Sequence, residues 1–136
     1  MPSPTKAETL PLRTDEDIVR LRQTVRTWAI EAGFSLIDQT KLVTAASELG
    51  RNTRIHGGGG AAHLELLENG IRRGVRLTFE DHGPGIADIE RALQDGFTTG
   101  TGLGLGLGGA KRLSNEFEIS SRPGEGTRIT IARWKA

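Results

Sequence analysis

The sequence predicts an α+β domain, with helices packed on one face of a mixed, mainly antiparallel sheet. Three observations lead there. Two amphipathic helical patterns come first, separated by Gly33; alternating strand patterns follow around an Asn69-Gly70 turn signal; a second hairpin pattern comes last, after a further helical stretch. Helices and strands therefore come in groups instead of alternating one for one. That grouping fits a two-layer sandwich better than a parallel α/β sheet.

Residues 1–8, with Pro2, Ser3 and Pro4, are expected to form a flexible tail ahead of a domain spanning residues 9–136. Thr9 to Arg13 reads as a short edge strand interrupted by Pro11. Thr14 is placed to cap a helix whose first turn holds Asp15, Glu16 and Asp17, acidic residues suited to a helix N-terminus. Ile18, Leu21, Val25, Trp28 and Ala32 then recur at helical spacing until Gly33. Ser35, with Asp38 three residues on, resembles a capping box for a second helix. That helix is expected to run to about His56, where Gly57 to Gly60 stop it. His63 to Glu68 and Gly74 to Glu80 read as paired strands. In the second, Val75, Leu77 and Phe79 alternate with Arg76, Thr78 and Glu80, so one face is buried. Ile86 to Gln94 reads as a short helix closed by Gly96. A glycine-rich stretch from Gly96 to Gly109 leads into a helix ending near Asn115. Phe117 to Ser121 and Thr127 to Trp134 form the last two strands around Pro123-Gly124-Glu125-Gly126.

Composition removes several classes of function. Eighteen basic residues stand against 17 acidic ones, a net charge of +1 with the signs interspersed. No electrostatic field points to nucleic acid or to an anionic membrane. No cysteine is present, so disulfides, thiolate zinc sites and a cysteine nucleophile are excluded. His56, His63 and His82 lack metal-ligand spacing with one another. No apolar run approaches the ~18 residues that span a bilayer. Met1 to Thr9 lacks the apolar segment of a secretory signal, and the expected location is the cytoplasm. Glycine is the unusual residue: there are 19, gathered in clusters.

Three constellations carry possible chemistry. Glu48 and Asn52 lie four residues apart and so project from one helix face, a turn apart. An amide oxygen can ligate Mg²⁺, which needs few protein ligands beside substrate phosphates, and a carboxylate a turn away can accept a hydroxyl proton. Taken alone, a solvated polar stripe accounts for this pair better. Asp81-x-Gly83-x-Gly85 follows directly on an amphipathic strand. A strand-end carboxylate can accept from an exocyclic amino group such as that of adenine, and the glycines let backbone approach a flat ring. An ordinary strand-to-helix loop explains this segment equally well. The third is Gly100 to Gly109, entering a helix through Ala110-Lys111-Arg112-Leu113. Exposed backbone N–H groups beside a helix N-terminus suit a phosphate chain. So many glycines would weaken any plain helix, at about 1 kcal/mol each against alanine, which favours phosphate binding. No Gly-x4-Gly-Lys-Ser/Thr occurs, so this is not a P-loop. Gly104, Gly106 and Gly109 satisfy G-x-G-x-x-G, but after a loop instead of a first strand, which argues against a Rossmann unit.

Taken in order and spacing, Glu48…Asn52, Asp81-x-Gly83-x-Gly85 and Gly102-x-Gly104-x-Gly106 resemble the N, G1 and G2 boxes of the GHKL ATPases. That superfamily joins histidine kinases, DNA gyrase B, MutL and the bacterial anti-sigma kinases. Gly126-Thr127 resembles the family's Gly-Thr, whose hydroxyl supports the adenine site. More narrowly, Ser47-Glu48-Leu49-x-Arg51-Asn52, Glu80-Asp81-x-Gly83-Pro84-Gly85-Ile86, Asp95-Gly96-Phe97-x-Thr99, Lys111-Arg112-Leu113 and Arg133-Trp134 resemble the RsbT-type serine/threonine switch kinases of the bacterial stressosome. The stretch from Gly102 to Gly109 is closer to the histidine-kinase form. The likeness covers nearly everything after residue 8.

The resemblance implies a Bergerat fold, ATP and Mg²⁺ as cofactors, and phosphoryl transfer to a serine or threonine of a STAS-domain partner. It also implies a freed kinase that activates a PP2C-type phosphatase or another output protein. By the same resemblance Asn52 carries Mg²⁺, Glu48 is the candidate base and Asp81 binds adenine in a pocket shaped by Gly83 and Gly85. Gly102, Leu103, Gly104, Leu105 and Gly106 form the lid and phosphate cradle, and Thr127 supports the adenine. Arg51 contacts phosphate or orients Glu48, unless it is a surface arginine; Thr98 and Thr99 touch phosphate from the lid, unless they are plain loop threonines. His82 is assigned nothing. Two alternatives stand within the fold: an RsbW- or SpoIIAB-like kinase that also holds a sigma factor, and a module that binds ATP without transferring it. No histidine lies on a helical hairpin ahead of the ATP motifs, so self-labelling on histidine is not expected.

Overall fold

The computed structural model describes residues 3–93 and 106–136. Five strands form one sheet in the order β1-β2-β3-β5-β4. They are β1 (Ser3–Leu12), β2 (Gly60–Asn69), β3 (Arg72–Asp81), β4 (Glu116–Arg122) and β5 (Gly126–Trp134). All four pairings are antiparallel. The helices are α1 (Asp15–Glu31), α2 (Leu36–Ile55), the single turn α3 (Ile89–Ala92) and α4 (Gly106–Arg112). None is long and apolar enough to cross a membrane.

The capping residues do what their chemistry predicts. Thr14 Oγ1 accepts from the Asp17 N–H at 3.1 Å, and Asp17 Oδ2 accepts from the Thr14 N–H at 3.1 Å. This closed box fixes where α1 begins, and the Arg13 N–H, donating to the Asp17 carboxylate at 2.8 Å, together with the Thr14 N–H holds that carboxyl below its usual range. At α2 only half of the expected box forms. Ser35 Oγ accepts from the Asp38 N–H at 3.2 Å, but the Asp38 carboxylate turns to Arg133 of β5, at 2.8 Å. Arg133 also donates to the Leu113 carbonyl at 2.7 Å. One guanidinium thus ties the start of α2, the segment after α4 and the end of β5 together.

Between the helices and the sheet lies the core. Leu21 and Val25 of α1, Leu42 and Leu49 of α2, and Leu64, Leu77, Phe79, Ile129 and Ile131 of the sheet are all at most 1 % exposed. Each large side chain so buried contributes about 1.5–3 kcal/mol relative to exposure. Gly50 lets α1 approach α2, for a Cβ there would stand 2.7 Å from Leu21 Cδ2. The sheet's other face is mostly polar. Glu65 and Arg76 pair across β2 and β3 at 2.7 Å, and Arg128 reaches Glu80 at 3.4 Å. Trp134 lies across Gly74 on this face, donating from Nε1 to Glu116 Oε2 at 2.8 Å.

One expectation is corrected. Residues 3–8 are not a loose tail: they belong to β1, which pairs with β2 from Ser3↔Glu68 to Leu12↔Gly60. Pro4 and Pro11 suggested the tail and the interruption. An edge strand tolerates proline because it presents one row of backbone groups to no neighbour, and the register shift between Pro4 and Lys6 absorbs the irregularity. The expected helix over 86–94 is confined to Ile89–Ala92 among the described residues. Gln94, and the glycine-rich stretch from Gly96 as far as Leu105, lie outside them.

Candidate functional site

β3 ends on Asp81, and strand alternation turns its carboxylate to the helix side of the sheet, where it is 6 % exposed. Oδ1 accepts from the Gly83 N–H at 2.9 Å; Oδ2 has no hydrogen-bond partner among the described residues. Gly57 packs on this carboxylate, and two further glycines allow the close backbone approaches beside it. A side chain at Gly57 would overlap it, one at Gly83 would stand 2.7 Å from the Gly57 backbone, and one at Gly126 would overlap the Asp81 carbonyl. Gly126 has a φ of 90°, which glycine adopts without strain. Gly85 packs in the same way on the Arg122 carbonyl.

Directly opposite Asp81 in the β3–β5 register stands Thr127, also 6 % exposed. Its Oγ1 lies 2.8 Å from Ser121 Oγ of β4. Ser121 Oγ in turn accepts from the Ile86 N–H at 2.7 Å and lies 3.1 Å from the Gly126 carbonyl. Asp81, Thr127 and Ser121 therefore come from three neighbouring strands and share one end of the sheet.

α2 brings the other expected residues to this end. Glu48 is buried at 7 % exposure, and Arg51 and Asn52 are half-buried a turn further on. The Asn52 carbonyl accepts from the N–H groups of His56 and Gly57, at 2.9 and 3.2 Å. Gly57 is the residue that packs on Asp81, so a short chain of contacts links Asn52 to the carboxylate. The Asn52 side-chain amide has no hydrogen-bond partner among the described residues. Gly106 opens α4, and Leu107 and Ala110 enter the core beside α2. Thr98, Thr99, Gly102, Leu103, Gly104 and Leu105 lie outside the described residues.

Sequence reasoning missed two members of this group. Gly57 reads in sequence as a helix stop, and its contact with Asp81 shows only in three dimensions; a glycine run directly after the Asn52 motif was the available signal. Ser121 carries no sequence signal at all, being one of two serines in a strand.

The donors and acceptors fit a nucleotide. A buried carboxylate with one oxygen unengaged among the described residues suits an exocyclic amino group. The Asn52 amide, unpartnered among the described residues, suits a hard cation held mainly by phosphates. Among the described residues no cluster of three or more His, Asp or Glu forms a protein-only metal cage.

A family model described as histidine kinase-, DNA gyrase B- and HSP90-like ATPase matches residues 37–136. The chain belongs to this ATPase family. The ATPase is 44 % identical over 123 residues to the serine/threonine-protein kinase RsbT of Bacillus subtilis (strain 168), covering 90 % of this chain and 92 % of that one. It is 31 % identical over 119 residues to the anti-sigma F factor of Anoxybacillus flavithermus, covering 82 % of this chain and 80 % of that one. A solved structure titled mycobacterial sensor histidine kinase MprB matches the ATPase with a TM-score of 0.54 at 20 % identity, covering 94 % of this chain and 97 % of that one. That last likeness is one of fold. The sandwich fold and the RsbT-type kinase expected from the motifs are borne out.

Proposed function

We propose that the protein is an ATP-dependent serine/threonine switch kinase of the RsbT type, acting in the cytoplasm on a STAS-domain partner in a bacterial stress or sigma-factor pathway. The observation that carries the reading is Asp81, a buried carboxylate with one oxygen unengaged among the described residues, the register partner of Thr127 and packed against the Gly57 backbone. The RsbT relative, matched along nine-tenths of both chains, supports the kinase class.

In this reading Asp81 selects adenine, with Thr127, Gly83 and Gly85 forming its pocket. Bound Mg-ATP supplies the γ-phosphoryl group and neutralises its charge. Asn52 holds the cation, Glu48 holds the partner's attacking hydroxyl and accepts its proton, and Arg51 orients Glu48 or meets phosphate. Thr98, Thr99, Gly102, Leu103, Gly104, Leu105 and Gly106 cradle the phosphates. Phosphoryl transfer depends chiefly on positioning and electrostatics, and placing Glu48 and Asn52 on one rigid helix serves both. The freed kinase then engages an output protein such as a PP2C-type phosphatase.

A second reading, a kinase that also sequesters a sigma factor, draws on the anti-sigma F relatives at 30–32 % identity. Labelled ATP added with host lysate separates the classes. Acid-stable label on a separate STAS-domain protein, without a stable sigma-factor complex, is the expected result. Acid-stable label together with nucleotide-dependent capture of a sigma factor would move the protein to the second reading. Acid-labile self-labelling, or no transfer despite ATP binding, would overturn the proposed kinase class.

A further inference from the structure

Ser121 sits where three polar groups converge, and counting its hydrogen bonds assigns a proton. A serine hydroxyl has one proton to donate and two lone pairs to accept with. The Ile86 N–H, a donor only, fills one lone pair at 2.7 Å. The Gly126 carbonyl, an acceptor only, lies 3.1 Å away, so in that contact the serine hydroxyl is the donor and its one proton is used. One lone pair remains, and the Thr127 hydroxyl stands 2.8 Å from it. With every capacity of Ser121 filled, Thr127 must be the donor in that contact. Its proton is turned inward, towards β4.

We propose that Ser121 is a positioning residue for base selection: by taking the Thr127 proton it leaves Thr127 Oγ1 an acceptor towards the Asp81 pocket. This rests on the reading that Asp81 receives a nucleobase. The wall facing the base edge is then acceptor on both sides, the Asp81 carboxylate from β3 and the Thr127 oxygen from β5, which are direct register partners. An amino group, with two protons, satisfies such a wall directly or through water. A keto oxygen at the same place meets only acceptors. Asp81 alone supplies one repulsive contact; Ser121 prevents Thr127 from rotating its proton outward to relieve it. Ser121 also holds the Ile86 N–H at the end of the Asp81–Ile86 loop, so one hydroxyl fixes both the loop and the proton.

The test is the ratio of ATP to GTP affinity, measured by calorimetry on the full chain. In the Ser121→Ala variant the Thr127 hydroxyl is free to donate to a keto oxygen. GTP should therefore bind better relative to ATP, and the ratio should fall by about tenfold or more, the scale on which an unpaired polar contact discriminates. Ser121→Thr, which restores a hydroxyl, should recover the ratio. A purely structural role for Ser121 weakens both nucleotides alike, so an unchanged ratio in Ser121→Ala would overturn the proposal. If circular dichroism finds that variant unfolded, Ser121→Cys, which keeps volume but only a weak acceptor, reads the same ratio under the same criterion. The double variant Ser121→Ala/Thr127→Val has no hydroxyl to turn outward. It must show no relative gain for GTP, and a gain there would equally overturn the assignment. Equal affinity of the unmodified protein for ATP and GTP is a separate outcome, and it removes the Asp81 reading itself.

Discussion

Asp81 concentrates in one side chain the difference between binding a nucleotide and merely folding. Asp81→Asn keeps the shape and the strand but replaces an acceptor by a donor against an amino group. Calorimetry should show ATP binding abolished while circular dichroism stays unchanged. Gly57→Ala puts a methyl where the carboxylate stands, at an overpacking cost of about 1–3 kcal/mol. ATP affinity should drop in step, with transfer by the saturated enzyme altered less. Glu48→Gln should hold ATP normally yet lose about 10²–10⁴-fold in transfer rate, the usual share of a general base. Asn52→Ala should lose both. If Glu48→Gln transfers at full rate, Glu48 leaves the catalytic list. The motif residues were legible in the sequence because carboxylate, amide and glycine recur there in an order that plain packing does not need. Gly57 and Ser121 were not legible. Their roles consist of contacts with residues far away in the chain, and a glycine after a helix or a serine in a strand has commoner explanations.

At the scale of elements, helices were easier to foresee than the first strand. Thr14 and Ser35 announced α1 and α2 through cap chemistry that acts within four residues. β1 depends on its pairing with β2, some sixty residues away, and its prolines disguised it. Deleting residues 1–8 should therefore destabilise the domain. The pairs from Ser3 through Glu8, at about 0.2–1 kcal/mol each, give a loss of about 1–5 kcal/mol, readable by thermal or denaturant melts. A harmless deletion would return these residues to the status of a tail. The Asp38–Arg133 bridge joins α2 to β5, and the hydrogen bond from Arg133 holds the Asp38 carboxyl below its usual range. A lowered carboxyl stabilises the fold above its unfolded pKa and loses that contribution as pH falls through the folded one. Asp38→Asn should cost about 1 kcal/mol at neutral pH, near the upper end for solvent-screened pairs. The gap from the unmodified protein should close below about pH 4, where the free carboxyl protonates.

Over the whole molecule, the sheet has one face filled by helices and one that is mainly polar, and the two tryptophans fall on opposite sides of it. Alternation in β3 predicted the buried face, and the polar residues between the apolar ones predicted the other. What alternation alone did not foretell is that Trp134 would lie over Gly74 on the polar side, because nothing local marks a glycine as the floor beneath an indole. The result is optical. The chain has two tryptophans and no tyrosine, so its near-ultraviolet emission comes from one indole sealed in the core, Trp28 at 2 % exposure, and one bonded to a carboxylate at the outer surface. Light from Trp28 should be blue-shifted and lost only when the core opens. Light from Trp134 should be redder and reachable by a soluble quencher in the folded state. With Trp134→Phe the remaining signal reports global unfolding alone, and with Trp28→Phe it watches whatever comes to rest on the uncovered side of the sheet.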